Sequence, residues 1–201
     1  MVPTNVQFEI EDFNQEWTFD ASRFDFIHMR ALVGGIRDWK HVFDEAFRCA
    51  VEDGIVESHE QSFMLKSDNG IIDTESALGK MGNLFKEAGE KTGYSFTVVD
   101  DGAQRKLMEE AGFVDVKEVV KRVPISREPK DPELEKVGQF THTAWHRDAE
   151  GYLIYLATQV FEWTIEKVYV FAMEVREQLL QMDVYVEHKI VVGRKPGRGS
   201  N

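Results

Sequence analysis

Histidines, carboxylates and one thiol are the side chains of this sequence with chemistry to offer, and their spacing limits what that chemistry is. His28-Met29-Arg30 closes a short aromatic-rich run, Phe24-Asp-Phe-Ile27, that reads as a strand. His28 is placed either to act as a general base or to line a pocket; it is the one candidate for a catalytic group. Glu57, His59 and Glu60 cluster just after another strand-like run, Ile55-Val-Glu57, where they could line a substrate pocket, although spacing alone fixes no geometry. His142 and His146 lie four residues apart on a helical pattern, a separation that can present both imidazoles to one metal ion. With no supporting glutamate motif and no third ligand, the pair reads as a polar helix face, and no metal is expected. Glu11-Asp12, taken alone, is a solvated acidic turn. Cys49 ends an amphipathic helix and is expected to be a small buried hydrophobe rather than a nucleophile.

The elements that must position these residues follow from hydrophobic period. Asn5-Val-Gln-Phe-Glu-Ile10 alternates apolar and polar residues as a half-buried strand does. From Asp38, a capping residue, the period becomes helical through Trp39, Val42, Phe43, Ala46, Phe47 and Ala50. Strand, helix and strand in close succession (Phe24–Ile27, the helix after Asp38, Ile55–Glu57) signal a parallel crossover. Ala77 to Ala88 and Ala103 to Ala111 form further amphipathic helices, the second stopped by Gly112. Phe113 to Val123 is dense in β-branched residues, and Pro124 to Pro132 is a linker into helices at Leu134–His146, Tyr152–Phe161 and Thr164–Met182. Trp145, Tyr152, Tyr155, Phe161 and Trp163 belong to the core or to a cover over the pocket. Val184 to Val192 closes the chain as a strand, and Gly193 to Asn201 reads as a flexible tail. The pattern specifies an α/β domain with a mainly parallel sheet and helical insertions.

Composition excludes several function classes. The 201 residues include 36 acidic and 24 basic side chains, a formal net charge of −12, which argues against a general nucleic-acid binder. The most apolar stretch, Tyr152 to Phe161, is too short to cross a bilayer. With a single cysteine and no readable signal peptide, an intracellular location, cytoplasmic or nuclear, is expected.

The run Asn5-Val-Gln-Phe-Glu-Ile-Glu-Asp-Phe-Asn-Gln-Glu-Trp17, followed by Phe24-Asp-Phe-Ile-His-Met-Arg30, resembles the middle of fungal methyltransferases related to the secondary-metabolism regulator LaeA. Later segments agree in order and spacing: Asp38-Trp39, Glu87-Ala-Gly89, Met108-Glu-Glu-Ala-Gly-Phe-Val-Asp-Val116, Pro129-Lys-Asp-Pro132 and Val191-Val-Gly-Arg-Lys-Pro196. The resemblance covers nearly the whole chain. It implies a Rossmann-like fold that binds S-adenosylmethionine at the carboxyl ends of its strands and transfers the methyl group to an acceptor the sequence does not identify. By the same resemblance Val6–Ile10 would be the third strand, Phe24–Ile27 the fourth, Ile55–Glu57 the fifth, Phe113–Val123 the sixth and Val184–Val192 the antiparallel seventh. Residues 1–201 would form one domain, with residues 124–182 a helical patch and residues 193–201 a tail.

The resemblance also implies roles. Glu11 and Asp12 would stand where the family's acidic pair meets the cofactor's adenine. His28, Met29 and Arg30 would line the crevice, with Arg30 alternatively an ion-pair partner for Asp12 or Glu11. The family's Gly-rich loop and ribose-binding acid have no counterpart here, since the one adjacent glycine pair, Gly34-Gly35, follows the fourth-strand position. Glu52-Asp-Gly54 replaces the usual turn before the fifth strand. The expectation is therefore a methyltransferase-like domain, truncated at its N-terminus, with weak or absent cofactor binding on its own. The alternative is a non-catalytic interaction module that associates with itself or with a velvet-type regulatory protein, since an open strand edge favours association.

Overall fold

The computed structural model describes residues 3–125, 129 and 131–197. Its strands are Phe24–Arg30 (β1), Ala50–Gln61 (β2), Val114–Pro124 (β3) and Tyr185–Arg194 (β4). Its α-helices are Trp39–Cys49 (α1), Ala77–Thr92 (α2), Ala103–Glu110 (α3), Glu135–Arg147 (α4), Ala149–Gln159 (α5) and Ile165–Gln181 (α6). The class is α/β, as the periodicity predicts.

The sheet order is β1-β2-β4-β3. β1 and β2 pair in parallel across α1, whereas β4 runs antiparallel to both β2 and β3. Three of the four strands thus share one direction, and β4 is the antiparallel strand that the resemblance implies. Because β4 inserts between β2 and β3, only one of the three ladders is parallel.

The expected strand at Val6–Ile10 is absent: the segment is irregular, and Val6, Phe8 and Ile10 are 43%, 80% and 103% exposed. Alternation supplies a face but not a ladder, and here no neighbouring strand provides one. Of the strands expected by resemblance, those from the fourth to the seventh form. β2 is far longer than the expected Ile55–Glu57, because buried Ser58 and Glu60 continue its inward face with polar residues that hide the alternation. The expected tail at residues 193–201 begins too early. Gly193 and Arg194 complete β4, and Lys195 Nζ donates to the Phe47 and Ala50 carbonyls, both at 2.8 Å. Residues 198–201 of that expected tail, and residues 126–128 and 130 of the expected linker, lie outside the described residues.

Local chemistry sets the helix ends. Asp38 Oδ1 accepts from His41 N at 3.1 Å to start α1, Ser76 Oγ from Gly79 N at 3.1 Å to start α2, and Thr164 Oγ1 from Lys167 N at 3.3 Å to start α6. α2 stops at Gly93, which takes the left-handed conformation at φ 77°. The helices divide the core in two. α2, α4, α5 and α6 bury Phe85, Trp145, Leu153 and Val168 against Val184, just before β4, and Val186 within it. α1 and α3 bury Trp39, Phe43 and Met108 against Met29, Val56 and Val191 on the sheet. Cys49 is fully buried, as expected.

Gly193 sits where the second core closes on β4: a Cβ there would lie 2.6 Å from Met108 Sδ and 2.9 Å from Phe113 Cβ. Gly193→Ala is expected to lower the unfolding free energy by roughly 1–3 kcal/mol through overpacking. Urea denaturation of the two proteins measures the difference.

Candidate functional site

The carboxyl ends of β1 and β2 gather the chain's acid–base groups. Parallel pairing places His28 opposite Glu57 and Arg30 opposite His59. His28 Nδ1 lies 2.9 Å from Glu57 Oε1, a partly exposed pair. His59 Nε2 lies 3.1 Å from His188 Nδ1, contributed by β4 from 129 residues away. Burial lowers the pKa of both imidazoles. Arg30 adds to the effect on each, and each histidine has a second imidazole nearby that pushes the same way. Both shifts favour the neutral rings, whose facing nitrogens lie within hydrogen-bond distance.

On the opposite face of β2 the polar groups are buried. Glu60 Oε2 accepts from the backbone N–H groups of Leu32 and Val33 at 2.8 and 2.9 Å, clamping the turn that follows β1. That turn needs a clamp, since Ala31 is in the left-handed region at φ 55° and Gly34 follows at φ 79°. Glu60 Oε1 is buried with no hydrogen-bond partner among the described residues. Burial raises the Glu60 pKa, and the two backbone N–H groups partly offset it. One residue beyond β2, Ser62 Oγ lies 2.9 and 2.8 Å from the two carboxylate oxygens of Asp100, whose pKa is likewise raised by burial. Gln104 of α3 donates to Ser58 Oγ at 3.0 Å, completing a buried polar line along β2.

Beside β1 runs an apolar cleft of about 230 Å³, walled by Phe13, Trp17, Phe19, Phe24 and Phe26. The sequence-derived binding residues divide around it. Glu11, His28 and Met29 line the cleft; Asp12 lines a neighbouring polar hollow with Asn14, Arg37 and Tyr94; Arg30 lines neither. Neither acid pairs with Arg30. Glu11 accepts from the Thr18 hydroxyl, and Asp12 Oδ1 accepts from Asn14 N at 3.0 Å. His142 and His146 stack with centroids 5.5 Å apart, and His142 Nδ1 lies 3.0 Å from the Ile125 carbonyl. Among the described residues no group of three His, Cys, Asp or Glu side chains could hold a metal ion.

Sequence reasoning missed the aromatic walls, because Phe13, Trp17 and Phe19 sit in irregular chain with no period to assign them a face. It also missed the His59–His188 contact, which has no local signal. Glu60 was noted for its neighbours, not for the turn it holds.

Residues 2–118 match a family profile described as "Methyltransferase domain". The methyltransferase pytC of Aspergillus terreus is 29% identical over 96% of this chain and 60% of its own length. The secondary metabolism regulator LAE1 of Cochliobolus heterostrophus is 24% identical over 97% of this chain and 64% of its own. The chain thus spans about three-fifths of the length of these curated relatives. Among solved structures, phosphoethanolamine N-methyltransferase 2 of Haemonchus contortus, in complex with S-adenosyl-L-methionine, aligns at a TM-score of 0.46 and 15% identity, covering 90% of this chain and 35% of that one.

The buried Glu60 carboxyl predicts a pH dependence. Its raised pKa means that, upward from pH 4.5, the folded chain keeps a proton the unfolded chain has lost, so stability falls as pH rises through that window. The difference in unfolding free energy, this protein minus Glu60→Gln, is expected to decline from pH 4.5 upward and then level off. A difference that is flat or rises with pH, followed by chemical denaturation across that range, contradicts the assignment.

Proposed function

The chain belongs to the methyltransferase-domain family, and we propose that its part in methyl transfer is to hold the adenine end of S-adenosylmethionine in the cleft along β1. The observation that carries this reading is the convergence of Glu11, His28 and Met29, three of the five residues picked out in the sequence, on one aromatic slot. The rings of Phe13, Trp17, Phe19 and Phe26 suit the π-face of a purine. The Glu11 carboxylate can accept from an exocyclic amine. The Trp17 indole N–H is buried with no acceptor among the described residues, an unmet donor in the same wall.

The fit ends with the base. At about 230 Å³ the cleft falls short of the roughly 300–1,000 Å³ that encloses a ligand of drug size. The adjacent glycines Gly34 and Gly35 offer no cradle for the methionine end. Phe96 fills the space beside Gly34, where an added Cβ would overlap its ring, and Gly35 backs onto the Leu32 carbonyl. Bound cofactor supplies an electrophilic methyl group; this chain's own contribution is to bind and orient the base. On the sheet beyond, His28, whose Nδ1 lies 2.9 Å from Glu57 Oε1, is the imidazole a carboxylate supports for proton uptake at its other ring nitrogen, whereas burial disfavours the protonated form of His59 and His188.

LAE1 is named a regulator of secondary metabolism, and the same setting is our reading for this chain. A second reading, a non-catalytic module that works by association, is favoured by the outer edge of β1, which has no strand beside it among the described residues.

Titration calorimetry with S-adenosylhomocysteine and with adenosine tests the first reading. Both are expected to bind with similar dissociation constants on the order of 1 mM, because only the base is held. Phe26→Ala, at a side chain 55% exposed and so outside the core, should weaken both several-fold. Micromolar binding of S-adenosylhomocysteine with much weaker adenosine would show that the methionine end has a site of its own.

A further inference from the structure

α2 and α6 pack together and leave a groove of about 650 Å³ beside their contact. That volume falls within the roughly 300–1,000 Å³ that encloses a small ligand. No residue lining it belongs to the cleft along β1. Leu84 of α2 and Phe171 of α6 are its buried floor, and Val170, 58% exposed, adds an apolar wall. Phe161 and Trp163, on the connection from α5 to α6, add two rings. Trp163 is held in place by an edge contact with Phe171, their centroids 5.5 Å apart.

The charged groups of the groove divide into those already engaged and those not. Lys80 Nζ lies 3.6 Å from Glu75 Oε2. Lys167 Nζ sits over the Trp163 ring, 3.9 Å from its centroid, and Lys91 Nζ sits over the Phe161 ring at 4.4 Å. Glu87 and Glu174, one from each helix, line the groove with no hydrogen-bond or ion-pair partner among the described residues. Each observation restricts the occupant. Two unengaged carboxylates call for positive charge, while both lysines of the lining are already held, which disfavours an anion. A ring face that carries an ammonium group is closed to a flat aromatic cation. What stays open is a pair of carboxylates above apolar side chains, a surface that suits flexible methylenes bearing ammonium groups. The chain's own Lys91 and Lys167 show an alkylammonium settled against these walls.

We propose that this groove is a binding site for an aliphatic polyamine, whose ammonium groups meet Glu87 and Glu174 while its methylenes cover Leu84, Val170 and Phe171. The site shares no residue with the cofactor cleft, so it stands or falls apart from that reading. Titration calorimetry of the 201-residue chain with spermidine at low ionic strength should show saturable binding at a single site. The double variant Glu87→Gln, Glu174→Gln should weaken it several-fold with unchanged circular dichroism and unfolding midpoint, both side chains being exposed. A net charge of −12 attracts any polycation to the surface at large. The double variant Glu16→Gln, Asp25→Asn removes the same charge from exposed positions outside the groove and should bind spermidine as the parent does. Putrescine should bind several-fold more tightly than n-butylamine, which has the same carbon chain and one ammonium group. A blocked lysine-rich peptide separates the free amine from a lysine side chain of a protein partner, and it should bind more weakly than spermidine. Absence of saturable binding, equal losses in the two double variants, butylamine matching putrescine, or a peptide that binds more tightly than spermidine overturns the assignment.

Discussion

A single carboxylate buried at the end of β2 holds together the part of this molecule where chemistry can happen. Glu60 Oε2 takes two backbone N–H groups from the turn after β1, and that turn carries a left-handed alanine that would otherwise be costly. Where the turn goes, Gly34, Gly35 and then α1 follow, and through Asn14 the N-terminal segment is tied to the same place. A buried carboxylate is expensive unless hydrogen-bonded, so the two backbone donors and the site they shape depend on each other. Its second oxygen, buried without a partner among the described residues, marks where that arrangement is least satisfied.

β4 joins the two halves of the protein for a related reason. It lies between β2 and β3 and contributes Val186 to the core under the helical patch and Val191 to the core under α1 and α3. The helical patch is fastened to α2 by polar contacts at its rim, where Gln178 Oε1 accepts from Leu78 N at 2.8 Å, and internally by Arg176, which bridges Glu150 and the His146 carbonyl. The patch shares one buried cluster with α2, Val184 and Val186. His188 can meet His59 because β4 is held in register against β2 along seven residue pairs.

The cleft beside β1 is where the N-terminal segment meets the sheet. Phe13, Trp17 and Phe19 of the irregular N-terminal segment face Phe24, Phe26 and Ile27 of β1 across it.

The sequence by itself determined which segments become helices, and it did so closely. Asp38, Ser76 and Thr164 lie at helix starts, Gly93 ends one helix, and the stripe Val168, Phe171, Ala172, Val175, Leu179 is the buried face of α6. These signals are local, a cap or a period within a few turns, so they can be read without knowing what packs against them. The family resemblance rested on linear order in the same way, and it brought out Glu11, His28 and Met29, which do share a cleft. What only the tertiary structure decided is everything that depends on a neighbour distant in sequence. Val6–Ile10 has a strand's alternation but no ladder, β2 is a long strand whose buried polar residues conceal it, and Asp12 turns away from its neighbour Glu11 to cap its own turn. The His59–His188 contact and the Glu60 clamp likewise join residues that sequence leaves far apart. Strand pairing, burial of polar groups and imidazole contacts are settled by which chains meet across the sheet, and a linear pattern carries no record of that meeting.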